Sequence, residues 1–170
     1  MGQSGSLTRF LKQCWTALRD YLRRKVDASR KVPIPSNELT NGDDLLGRFL
    51  LQKNHFKKAE GRATAEGFMP PPDLQLSVFL ITSLSASEIW AVGKQVLDQH
   101  PQPRLYGRAD VHVAVIRGHK LKALRDDQPP RHVTVTGWPS YADGKDLIKS
   151  IAQELARAST LTLLPAPMTK

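Results

Sequence analysis

Apolar residues recur every three or four positions near the start of the chain. Leu7, Phe10, Leu11, Cys14, Trp15, Leu18, Leu22 and Val26 fall on one stripe of a helix predicted over about residues 7–29. Ser6 is placed to cap it, and Arg9, Lys12, Arg19, Arg23, Arg24 and Arg30 occupy the opposite face. Such a stripe needs a cover: the rest of the chain, a protein partner, a second copy of itself or, least favoured, a membrane surface. Pro33 and Pro35 block continuation of the helix and Asn41-Gly42-Asp43 is turn chemistry, so residues 32–44 read as a linker after a helical segment 1–31.

The pattern then changes period. LLGRFLLQ (45–52) is apolar and fits strand or helix, KNHFKKAEGRATAEG (53–67) is a polar, basic loop with some helical turn, and FMPPPD (68–73) stops it. LQLSVFLIT (74–82) is apolar on both alternating faces near its end and predicts a central strand covered on both sides. SASE (85–88) is a capping box opening a helix over about 86–99, which buries Ile89, Val92 and Val96 until HPQP ends it. RADVHVAVIRG (108–118) alternates as a strand, HKLKALRDD (119–127) returns as a short one, and RHVTVTG (131–137) is another. DGKDLIKSIAQELARAS (143–159) is a helix with Leu147, Ile148, Ile151, Leu155 and Ala156 inward, and TLTLLP (160–165) a last strand. These elements predict an α+β domain over 45–165 with a mixed or antiparallel sheet and two helices mostly on one face, preceded by the N-terminal amphipathic helix and followed by a tail, 166–170.

Charge shifts the picture toward anionic partners. The 170 residues carry 25 Lys and Arg against 16 Asp and Glu, a net +9, of which residues 1–40 supply 8 against 3. Nucleic acid, an acidic protein surface or another polyanion is the partner class this favours. Cys14 is the only cysteine and sits in the apolar stripe as a small filler, so no intramolecular disulfide forms and a reducing, cytoplasmic setting is expected. No run approaches a membrane span, and arginines and lysines interrupt the region where a signal-peptide core would lie. The opening Met-Gly-x-x-x-Ser fits the N-myristoylation pattern, whose plain reading is coincidence.

The stretch with most chemistry is DDQPPRHVTVTGWP (126–139). Pro129 and Pro130 stiffen the entry to a strand, which sets His132 where a side chain faces a crevice, and Asp126 or Asp127 is in reach to orient it or to share a metal with it. The plain alternative is a turn at the two acids, a guarded strand end and Trp138 sealing the core. His112 opens a similar run, HVAV, and Asp110 lies on its side of the strand, able to serve an imidazole or to pair with Arg108. HVTV also matches the His-x-Thr-x motif of two-histidine phosphodiesterases, weakly, because Ala114 stands in the first copy where threonine belongs. His55, Phe56, Lys53, Lys57, Lys58 and Arg62 interleave base and aromatic as phosphate contacts and base stacking require, and as a solvated loop also does. Phosphate loops, dinucleotide glycine motifs, zinc-spaced cysteines, His-Glu-x-x-His and Gly-x-Ser-x-Gly elbows are absent, and with them the chemistries they serve; no metal set and no cofactor is specified.

Taken as a series, RF, HF, PPPDLQLSVF, EIWAVG, GRAD, DDQPPRH and GWP over residues 48–139 resembles a small bacterial α+β domain family with no assigned activity. The resemblance implies a bacterial cytoplasmic setting and no mechanism. Three expectations follow. The first is a non-enzymatic accessory module that docks through its N-terminal helix and contacts nucleic acid through Lys53, Lys57, Lys58 and Arg62, with Phe56 and Trp138 as aromatic contacts. The second is a small hydrolase or nuclease in which His132, with Asp110 or His112 and with His55, acts on a phosphodiester. The third is a self-associating scaffold.

Overall fold

Alternating strands need a ladder, and one antiparallel sheet supplies it. A computed structural model of the chain describes residues 37–170 apart from Pro103; the predicted helix over 7–29 and its docking role lie outside the described residues. The sheet holds β1 (Leu45–Leu50), β4 (Leu76–Leu80), β5 (Arg104–His112), β6 (Lys122–Arg125), β7 (His132–Thr136) and β8 (Thr160–Thr169), ordered β6-β7-β4-β1-β5-β8. A short hairpin of β2 (Phe56–Lys57) and β3 (Arg62–Ala63) pairs separately. The helices are α1 (Ala65–Phe68), α2 (Ala86–Gln99), α3 (Val113–Gly118) and α4 (Tyr141–Ala158). The described residues are therefore α+β, with six antiparallel strands and four helices where two had been expected. None of these helices is long and apolar enough to cross a membrane.

Both faces of the sheet are covered. Leu46, Val78, Val111, Val133 and Val135 form one core with Ile148, Ala152 and Leu155 of α4 and with Phe68, Ile116 and Trp138. Phe49, Phe79, Ile81 and Leu105 form a second with Ile89 and Leu97 of α2. Helices on one face would leave half of β1 and β4 wet, since their alternate positions are apolar too. The Ser85–Glu88 box opens α2 as its pattern predicts: the Ser85 N–H donates to Glu88 Oε2 at 2.8 Å and the Glu88 N–H to Ser85 Oγ at 3.4 Å. This helix lies so close to the sheet that a Cβ on Gly93 would come within 2.8 Å of the Phe49 ring and 2.9 Å of Leu105.

Three expected boundaries move. The strand predicted over 108–118 ends at His112, and residues 113–118 turn into α3 because Val113 and Ile116, three apart, bury together. β8 runs through the expected tail to Thr169, its register passing from Gly107↔Leu163 to Leu105↔Met168, so that Pro165 and Pro167 fall in a bulge of an edge strand where missing N–H groups cost little. The end of the expected linker lines the opposite edge: Leu39 N–H donates to Ala123 O and Arg125 N–H to Asn37 O, each at 2.8 Å.

Candidate active site

The loop joining β6 to β7 is held by its own acids. The Asp127 carboxylate takes Arg125 Nε on both oxygens at 2.8 Å and the Arg131 N–H at 3.0 Å, and the Arg125 bond, ahead of the others, keeps its pKa below the usual range despite desolvation. Asp127 and Arg131 have left-handed backbones, φ 54° and 68°, a strain of about 1 kcal/mol or more each that such bonds must offset. With the loop fixed, Asp126 faces the start of β7: the His132 Nδ1–H donates to its Oδ1 at 2.7 Å, and Thr134 Oγ1 donates to its Oδ2 at 3.0 Å. Partial burial raises the Asp126 pKa, but the bonds from the Gln128 N–H, His132 and Thr134 outweigh it and leave the value lowered. An ionised carboxylate only accepts, so the proton sits on Nδ1 and Nε2 is the basic nitrogen of His132. The ring is further held edge-on by Phe79, centroids 5.3 Å apart, and its side chain is 13% exposed.

His132 lines a cavity of about 460 Å³ that opens where β1 and β4 separate, beside the last turn of α2. Registered pairing between these strands runs from Leu46↔Leu80 to Gly47↔Phe79. Arg48 follows, and its guanidinium donates through Nη1 to Ser77 O at 2.8 Å and through Nε to Gly67 O at 3.0 Å. Burial lowers its pKa to about 10, which leaves it charged at neutral pH. Its hydrogen-bond partners among the described residues are carbonyls, and no carboxylate pairs with it there. Arg48 is thus a cation on the cavity wall with donor capacity left over, a ready contact for an anion.

Two more imidazoles share the wall. His55 ends the 3₁₀ turn Lys53–His55; burial first, then Arg48 and His100, push its pKa down to about 4 against an opposing pull from Glu66, and its Nδ1 is buried without a partner. His100 caps the end of α2 and accepts the Gln102 N–H on Nδ1 at 3.2 Å, which puts its proton on Nε2; burial, Arg48 and Lys170 lower its pKa. Phe79, Val96, Met69, Pro70 and Pro129 supply apolar wall between these groups. Among the described residues no three His, Cys, Asp or Glu side chains are arranged to hold a metal ion.

The other sequence candidates fall elsewhere. Asp110, Gly47, Phe79 and His132 stand in one row across β5, β1, β4 and β7, so Asp110 and His132 are three strand spacings, about 14 Å, apart. Asp110 instead takes Arg108 Nε on both oxygens at 2.9–3.0 Å, with the guanidinium 5.1 Å over the Trp90 ring. His112 is exposed at the end of β5, its Nδ1 3.3 Å from Asp43 O. Glu60 engages both Lys57, at 2.9 Å, and Arg62, while Lys58 is exposed and Phe56 packs on Tyr106. Trp138 is buried in the α4-side core and donates its Nε1–H to Val135 O at 3.1 Å, so its face is not open to a base. Arg48, His100 and Glu66 were not read from the sequence as site residues; a lone arginine inside LLGRFLLQ was the one available signal.

Compared with family models, curated proteins and solved structures, the chain matches none.

Proposed function

We propose that the domain hydrolyses phosphodiesters in this cavity, with His132 as the acid–base group. The observation that carries the reading is that His132, oriented by Asp126 from behind, lines the same cavity as the charged Arg48, which no carboxylate pairs with among the described residues. Water attacks phosphorus and loses a proton to His132 Nε2; Asp126, a positioning residue, favours the resulting imidazolium. Arg48 and the Nε2–H of His100 face the negative charge that gathers on the non-bridging oxygens. The P–O bond to the leaving group then breaks, and the imidazolium returns its proton to the departing alkoxide, so that one water is consumed and the histidine is restored.

A binding surface limited to Lys53, Lys57, Lys58 and Arg62 has less support, because Glu60 already engages two of the four. The test is turnover of bis(4-nitrophenyl) phosphate by the full chain. His132→Ala is expected to slow it by about 10²–10⁴, with an unchanged far-ultraviolet circular dichroism spectrum. A wild-type chain without turnover, or a variant that keeps it, overturns the proposal.

A further inference from the structure

The cavity wall formed by Leu51 and Gln52 has a second side. The same two residues, with Lys53, Gln102, Arg104 and Tyr106, enclose a shallower basin of about 420 Å³. Lys53 opens the turn that follows β1, and Arg104 and Tyr106 stand at the start of β5 opposite the bulged part of β8. The charged residues lining this basin are cationic, and neither Lys53 nor Arg104 is in an ion pair among the described residues. Phe56 braces the half-buried Tyr106 ring at 5.8 Å between centroids, which limits its motion.

Two cations flanking a fixed aromatic ring form the elementary unit of single-strand recognition: the cations take phosphate and the ring takes a base. We infer that this basin is a subsite for the nucleotide next to the reacting phosphate, so that the substrate class is single-stranded nucleic acid rather than small diesters. This rests on the phosphodiester reading of the deep cavity. A base reaches Tyr106 only when it is out of a duplex stack, which a single strand permits without an unpairing cost. Stacking is tolerant of base identity, and the two glutamines, Gln52 and Gln102, are the only uncharged polar side chains lining the basin apart from the tyrosine, so little base preference is expected.

The experiment titrates the full chain with a fluorescent ten-nucleotide thymidylate at several salt concentrations, and measures turnover of bis(4-nitrophenyl) phosphate in parallel. A Lys53→Ala/Arg104→Ala variant is expected to bind the oligonucleotide at least tenfold more weakly. It should also flatten the slope of log K against log salt by about 1.4, at about 0.7 per single-strand phosphate contact, with small-diester turnover unchanged. Tyr106→Ala is expected to weaken binding by about fivefold or more with the slope preserved. No oligonucleotide binding by the wild type, an unchanged affinity and slope in the double variant, or equal affinity for the duplex overturns the inference. Oligonucleotide binding that the double variant abolishes, in a chain that leaves the small diester intact, supports the subsite and overturns the chemistry instead.

Discussion

Under α4, the strands present Leu46, Val78, Val111, Val133 and Val135, a surface with little polar character except for Arg48, which turns away toward Ser77 and Gly67. Under α2, the same strands alternate to Arg108, Asp110, Thr134 and His132 among Phe49, Phe79 and Ile81. The difference follows where each cover reaches. The core under α4, a helix kinked at Gly144, extends to β7, whereas α2 ends at Gln99 and its cluster takes buried strand residues from β1, β4 and β5, with Leu164 and Met168 of β8 packed against them, and none from β7. Where α2 stops, Phe79 and His132 form a wall of the cavity together with Val96 and His100. One face of the sheet is almost wholly apolar; the other gives up part of its apolar burial to ion pairs and a polar cavity.

This division is open to attack through its two carboxylates, which stand on one side of the sheet yet do different work. Asp110→Asn leaves Arg108 buried, 13% exposed, without its counter-charge, and is expected to cost about 3–5 kcal/mol in denaturant unfolding while diester turnover per folded molecule stays constant. On the α4 side, Leu155→Ala empties a fully buried position and should cost about 2–5 kcal/mol, again without a change in turnover. Asp126→Asn is expected to do the reverse: its side chain is 41% exposed, so stability moves little, but turnover falls by about a hundredfold as His132 loses its orienting acceptor. Equal effects of the two Asp→Asn variants on both readouts would erase the distinction.

A smaller effect sharpens it further. His55 is held neutral, with a folded pKa of about 4 against about 6.5 unfolded, so the unfolded chain binds a proton first on acidification. Stability contributed above pH 6.5 is therefore lost as pH falls toward 4, about 1–2 kcal/mol after allowance for partial exposure. His100 shifts in the same direction and adds to the slope. Urea midpoints taken between pH 7.5 and 4.5 should show this decline, and His55→Gln should flatten it. Smallest is Thr134→Val, which removes one bond to Asp126; turnover is expected to drop less than tenfold.

Legibility in the sequence followed the range of the interaction. The Ser85–Glu88 box, the 3.6-period stripe of α4 and the link between DDQPPRH and His132 are local, and each is present where the pattern pointed, except that Leu147, expected inward with the α4 stripe, is 55% exposed. Strand order is not local: the alternation that put Asp110 and His112 beside one another says nothing of the two strands that separate them from β7. The same limit hid the cavity. Arg48 looked like an interruption in an apolar run until β1 and β4 parted around it, and His100 looked like part of a helix stop. Val113 and Val115 continued a strand-like alternation that Ile116 resolves as helical burial once α3 packs.

The five histidines allow the central claim to be tested on all of them at once. His55, His100 and His132 line the cavity; His112 and His119 lie outside it. Long-range proton–nitrogen NMR spectra of the imidazoles, recorded while inorganic phosphate is added, should shift the first three saturably and leave the other two still, with His132 showing a protonated Nδ1 throughout. Shifts at His112 or His119 alone, or a His132 ring protonated only on Nε2, would contradict an anion site built on the Asp126–His132 pair.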